Sequence, residues 1–330
     1  MNILVTGAAG FIGSHLSERL VALGHTVRGI DCLTDYYARA LKALNVEQIK
    51  ARGVAFLPLD LAKDELGSAV EDVEIVFHAA AQPGISARVP FDTYVRNNVV
   101  ATHRLLEAVK RSPSFKGFIN ISTSSVYGAD ATGNEMTEPR PTSYYGVTKL
   151  AAEQLVLAFT RDQGFPACSL RLFSVYGPRE RPEKLYPRLI GAILEDREFP
   201  LYEGSKGHLR SYTYVGDVLD GMVAVLHCFD RCIGEIFNIG TVFAFTTAEG
   251  IRTVEDIIGK RARISVKPRR PGDQLKTHAN IEKARSVLGY SPTTMLREGL
   301  EKEVAWYREH VLGKINLWLP DVGTILAKPQ

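Results

Sequence analysis

ILVTGAAGFIGSHL, residues 3–16, decides the fold: four strand-forming residues run into three glycines, Gly7, Gly10 and Gly13, and then into a helical pattern. Glycine at the first position permits a tight bend. At the second it lets backbone approach a pyrophosphate, and at the third it lets helix pack on strand. The spacing is GxxGxxG, one residue longer than the usual dinucleotide fingerprint. Phe11 and Ile12 carry the helix start between the last two glycines. Asp31 closes the next strand-like run, TVRGI, 18 residues after Gly13. A carboxylate there accepts hydrogen bonds from a ribose 2'-hydroxyl and repels a 2'-phosphate, which favours NAD over NADP, although Arg28 and Arg39 are near in sequence.

Working outward, short apolar runs (VAFLPL at 54–59, EIVFHAA at 74–80, FINIS at 118–122, ACSLRLF at 167–173) alternate with helical patterns at 15–24, 93–111 and 148–164. That alternation predicts an α/β fold, a doubly wound parallel Rossmann sheet covered by helices on both faces. Gly24 and Gly164 stand where two helical patterns stop. After about residue 173 prolines at 178, 182, 187 and 200 break the rhythm. We therefore expect an NAD-binding domain over 1–172 and a smaller, interleaved second lobe over 173–330, with EIFNIG (235–240) returning to the main sheet as a strand. Asp60 and Leu61 follow the third strand, and Ala79, Ala80 and Ala81 end the fourth, where small residues let a cofactor lie across the strand ends. The segment 314–330 is left open as a docking segment or a disordered end.

The 330 residues hold 40 basic and 37 acidic side chains, a net charge of +3 with no concentrated block, so nucleic acid and anionic membrane are poor partners. No leader and no membrane-length apolar run is visible, and four cysteines are too few for a disulfide framework; the expectation is a cytoplasmic protein. HCFDRC (227–232) lies on a helical apolar stripe without a second ligand pair, and no metal is expected.

Two further stretches carry chemistry. STSSVYG (122–128) ends the fifth strand, at the edge where ligands sit in open α/β sheets. SYYGVTK (143–149) begins a helix with Tyr145 and Lys149 at i and i+4, on one face. A phenol is a poor base at neutral pH, but a nearby ammonium and a positively charged nicotinamide favour its phenolate. Such a tyrosine can take a proton from an alcohol while the cofactor takes the hydride.

With TGAAGFIGSHL, HAAA, STSSVYG, YYGVTK and RLFSVYGPRERP in place, the chain resembles the extended short-chain dehydrogenase/reductases, in particular the NAD-dependent nucleotide-sugar epimerases and dehydratases, over residues 2 to about 310. The resemblance implies that Thr123 bonds the reacting oxygen, that Tyr145 is the catalytic base and acid, and that Lys149 holds the nicotinamide ribose and tunes Tyr145. It also places Asn98 among the cofactor residues. Sugar 4,6-dehydratases carry Asp-Glu after the threonine and uronate decarboxylases Ser-Glu; here Ser124 and Ser125 stand there, which leaves C4 epimerisation as the simplest chemistry.

DCLTDYYARALK (31–42) and STSSVYG are similar to UDP-glucuronate 4-epimerases, and by that likeness Ser124, Ser125 and Arg181 hold the sugar carboxylate. Arg210 matches a diphosphate contact, and Arg270 and Asp273 match contacts to diphosphate and uridine ribose. Departures exist: Ser174 where many epimerases have Asn, RPEKLY where uronate enzymes read RPDMA, and Ser86 with Arg88 where they read PGVR. The expected activity is NAD-dependent conversion of UDP-glucuronate to UDP-galacturonate through a 4-keto sugar. Alternatives are a UDP-glucose or UDP-N-acetylglucosamine 4-epimerase, a UDP-sugar dehydratase or decarboxylase, and, from another class, a non-catalytic NAD sensor. Relatives often form homodimers through the helices that fall here at 97–111 and 145–163.

Overall fold

The computed structural model describes residues 1–84, 89–268, 276–315 and 317. Its first strand, β1 (Asn2–Thr6), is the apolar run ahead of the glycines, and α1 (Phe11–Ala22) is the helix after them. The pattern continues through β2 (Thr26–Ile30), α2 (Arg39–Ala51), β3 (Ala55–Leu57), β4 (Ile75–His78), a π-helical turn Val95–Val100 leading into α3 (Ala101–Val109), β5 (Gly117–Thr123), α4 (Tyr144–Gln163) and β6 (Ala167–Leu172). The strand β7 (Ile236–Ile239) pairs with β6, as expected for EIFNIG. Among the described residues the main sheet is ordered β3-β2-β1-β4-β5-β6-β7. Every neighbouring pair in it is parallel.

Side chains alternate across this sheet. Ile3, Val5, Phe77 and Ile119 pack on one face with Leu16 and Leu20 of α1. Leu4, Val76 and Phe118 pack on the other with Leu105 and Leu106 of α3 and Val156 of α4. Both faces are thus covered, the condition under which an all-parallel sheet is stable. The Rossmann fold is borne out, and the strand order reverses beside β1, which opens a crevice at the carboxyl ends of β1 and β4.

A second apolar cluster is built around α5 (Leu185–Leu194), α7 (Thr247–Ile258) and α8 (Leu296–His310), with Tyr176, Tyr186 and Tyr212 packed edge to face. Between it and the sheet, α6 (Val215–His227) packs against α1, and Asp217 near its start accepts bonds from the Thr294 backbone and hydroxyl. The loop 174–184 joins the two clusters. It is tied back to α1 by His15 Nε2 donating to the Pro178 carbonyl at 2.8 Å and by an Arg179–Glu18 pair at 2.9 Å. No helix among the described residues is long and apolar enough to cross a membrane.

Candidate functional site

The glycine turn sits over the end of β1. A Cβ on Gly13 would lie 2.1 Å from the Gly7 carbonyl oxygen, so only glycine admits the helix this close to the strand. Gly10, the residue before α1, has no side chain to cap it, and Ser14 is the first to join the helical ladder, donating to the Gly10 carbonyl at 3.0 Å. The N–H groups of Phe11, Ile12 and Gly13 precede that ladder and line the cleft, which is a seat for an anion at the positive end of a helix. Asp31 is held at the end of β2 by N–H groups of Ala9 (3.3 Å) and Leu33 (2.8 Å), so its carboxylate is aimed before any ligand arrives. Arg28 is engaged by Asp72 and the Ala69 carbonyl and does not line the cleft. These residues fit a dinucleotide.

The floor is held by His78. Burial keeps it neutral, with its pKa pushed down to about 3, and it bridges Thr6 and Thr102 at 2.8 Å each. Thr6 accepts from Ala80 N–H, which fixes the strand end where Ala79, Ala80 and Ala81 border the cleft. Asp60 and Leu61 also border it, with Asp60 paired to Arg96. Asn98 is buried one layer behind: its oxygen accepts from Gln82 N–H at 2.7 Å and its amide donates to Thr148 at 2.9 Å, while its neighbour Asn97 faces the cleft.

Past β5, Thr123 accepts from Ser125 N–H at 3.1 Å, turning the chain through a short 3-10 helix, Ser124–Tyr127. The start of α4 lies against this turn, since a Cβ on Gly146 would come within 2.7 Å of the Ser125 carbonyl oxygen. Ser143 caps α4 by accepting from Gly146 N–H, and the Tyr145 phenol is thereby brought into hydrogen-bonding reach of Thr123. Lys149, one turn on, donates to the Ile121 carbonyl at 2.6 Å.

The electrostatics differ from the sequence reasoning in one respect. Burial raises the Tyr145 pKa above its ordinary 10, and the opposing influences are the Arg181 guanidinium and the Thr123 hydrogen bond. Burial also pushes Lys149 down to about 8, with Glu153 opposing. Among the protein's own groups the cation acting on Tyr145 is therefore Arg181, which sequence spacing could not show.

One cleft of about 530 Å³ joins these parts and runs from the glycine turn past Tyr145 to Ser124, Ser125, Ser174, Arg181 and Arg210. Ser174 sits there with positive φ (25°). Among the wall residues that sequence reasoning missed are Tyr36, Tyr37, Glu180 and Glu183. The only signal for the two acids is the alternation of charge in RERPEK. Glu180 is raised to about 8, chiefly by burial. Arg270, Asp273, Ser86 and Arg88 lie outside the described residues, as does most of 314–330.

The comparisons agree with this geometry. Residues 3–240 match the NAD dependent epimerase/dehydratase family. The chain belongs to that family and is an NAD-dependent enzyme of the nucleotide-sugar epimerase class. More particularly, it is similar to an uncharacterized UDP-glucose epimerase, YtcB, of Bacillus subtilis (strain 168), at 38% identity over 93% of this chain and 98% of that one. It is 32% identical to UDP-glucuronate 4-epimerase 4 of Arabidopsis thaliana over 95% of this chain and 76% of the relative. A crystal structure of UDP-glucuronic acid 4-epimerase from Bacillus cereus with UDP-glucuronic acid and NAD superposes with a TM-score of 0.89, at 38% identity over 94% and 99% of the two chains.

Proposed function

We propose that the protein interconverts UDP-glucuronate and UDP-galacturonate by oxidation and re-reduction at C4. The observation that carries this reading is the Tyr145 phenol within reach of Thr123, in the same cleft as Ser124, Ser125 and Arg181. Bound NAD supplies the hydride acceptor and, in the return step, the hydride donor. Gly7, Gly10, Phe11, Ile12 and Gly13 seat its pyrophosphate, and Asp31 takes the ribose hydroxyls. Tyr145 removes the C4 hydroxyl proton while Thr123 steadies the oxygen, and the 4-keto sugar turns over before Tyr145 returns the proton. Lys149 holds the nicotinamide ribose.

A 4-keto uronate is a β-keto acid and loses carbon dioxide readily, so the site has to restrain the carboxylate as well as bind it. Ser124, Ser125 and Arg181 would do so, Arg181 with a planar fork matched to two carboxylate oxygens. Arg210, with Arg270 and Asp273, would hold the nucleotide end. A second reading, a neutral UDP-hexose, is favoured by one observation: Arg181 already stands 2.7 Å from the Glu183 carboxylate.

A cytoplasmic homodimer is part of the proposal. Phe91, Val100, Tyr144 and Val147 are exposed on neighbouring helices, and the Phe91 and Tyr144 rings meet at 5.0 Å, an apolar face suited to a second copy.

The test is incubation of purified protein with UDP-glucuronate and no added NAD, with products resolved by chromatography and proton NMR. UDP-galacturonate is expected, and Tyr145→Phe should slow its formation by about 10²–10⁴-fold. A pentose product would refute the assigned restraint. Turnover of UDP-glucose alone would move the activity to a neutral sugar.

A further inference from the structure

Arg181 stands in the cleft wall beside Tyr145, its guanidinium 5.8 Å from the Tyr36 ring centroid. Its partner is Glu183, two residues along the same loop, with Nη1 and Oε1 2.7 Å apart. The pair is largely enclosed, at 14% and 27% side-chain exposure. Yet Nη1 of Arg181 and both Glu183 oxygens are buried without a hydrogen bond, because the groups approach off the line that a hydrogen bond requires. Charge is balanced while hydrogen-bonding capacity is unmet. A buried donor or acceptor left in that condition is unfavourable, and a guanidinium does best with a carboxylate squarely across its fork.

We propose that Glu183 is a specificity-determining residue: its carboxylate serves Arg181 as an internal counter-ion and gives up that place to the carboxylate of a uronate substrate. The inference rests on the reading of Arg181 as the group that receives the sugar carboxylate. With a neutral hexose the Arg181–Glu183 pair stays together, so the guanidinium is never buried without a counter-charge. Glu183 therefore weakens uronate binding and supports neutral-sugar binding, and it sets the ratio between them. Glu180 is a poorer candidate for this role, because burial raises its pKa to about 8 and so disfavours its charged form.

The experiment compares wild type with Glu183→Gln, as isolated with their cofactor, for binding of UDP-glucuronate, UDP-glucose and UDP. Removing the internal carboxylate should tighten UDP-glucuronate about tenfold, weaken UDP-glucose, and leave UDP, which lacks the hexosyl group, unchanged. An unchanged uronate-to-hexose ratio with UDP binding intact would overturn the proposal. Should Glu183→Gln lose UDP binding through misfolding, Glu183→Asp, whose shorter reach also frees Arg181, must move the ratio the same way or the proposal falls. If wild type binds UDP-glucose and not UDP-glucuronate, the uronate activity is refuted; gain of UDP-glucuronate binding by Glu183→Gln would still uphold the role of Glu183, and no gain would end both.

Discussion

Two arginine–glutamate pairs lie within 40 residues of Tyr145 in sequence, and they are built oppositely. Glu153 is two turns beyond Tyr145 on α4, and Arg171 reaches it from β6 with two bonds, Nε to Oε2 at 3.0 Å and Nη2 to Oε1 at 2.6 Å. That pair is 2% and 0% exposed, braced by Ser169 and by the Tyr127 ring 4.8 Å from the guanidinium. Arg181 and Glu183 share one contact, no completed hydrogen bond, and an open side towards the cleft. In the first pair both carboxylate oxygens are met and only Arg171 Nη1 is left without a hydrogen bond. The second has neither carboxylate oxygen in a hydrogen bond and lies on the cleft wall, which is the difference on which the proposed role of Arg181 depends.

The sharpest way to break that contrast is to remove each arginine in turn. Arg171→Met leaves Glu153 charged and unpaired in the core, which should cost about 3–5 kcal/mol in a urea denaturation curve. Arg181→Met leaves Glu183 unpaired at the cleft wall, where it is 27% exposed, and should cost less, about 1–3 kcal/mol. Equal losses would show that both pairs are structural.

A second measurement concerns Glu180, next to Arg181, and Glu303 of α8, both carboxyls raised chiefly by burial, Glu180 to about 8 from 4.5. A raised acid means that the folded protein binds more protons than the unfolded chain, so this contribution to stability is full below pH 4.5 and is lost as pH rises through 8. Denaturation midpoints should fall across that window, by up to about 1.4 kcal/mol per pH unit for each carboxyl. Glu180→Gln with Glu303→Gln should flatten the slope; a slope that persists would place its origin elsewhere.

The smallest expected effect is on Lys149. Burial pushes it down to about 8 and Glu153 pushes it back up, so the ammonium is lost as pH rises through that value. Glu153→Gln should move the alkaline limb of the rate profile down by about one unit, a tenfold loss at high pH. An unmoved limb would leave Glu153 only its structural pairing with Arg171.

How much was legible can be read from the same residues. The i, i+4 stripe of Tyr145 and Lys149 is visible in the sequence, and its continuation to Glu153 was available as a signal, though nothing local told that the carboxylate would meet Arg171. Helical period reports which side chains share a face and leaves open what that face meets. Likewise RERPEK shows alternating charge but not that Arg181 and Glu183 face the cleft, because that depends on how His15 and Arg179 anchor the loop to α1.

What the sequence determined by itself was the alternation of strand and helix, the glycine turn that only a close strand–helix approach requires, the acid at the end of β2, and the Thr–Tyr–Lys spacing. Each depends on residues near one another in the chain, where periodicity and backbone sterics act. Tertiary structure alone decided which cation stands by Tyr145, that burial raises the Glu180 carboxyl, that Asn98 lies behind the cleft and Asn97 on it, and that Arg181 has a partner of its own. Burial and charge are set by groups brought together from distant parts of the chain, and no local pattern encodes them.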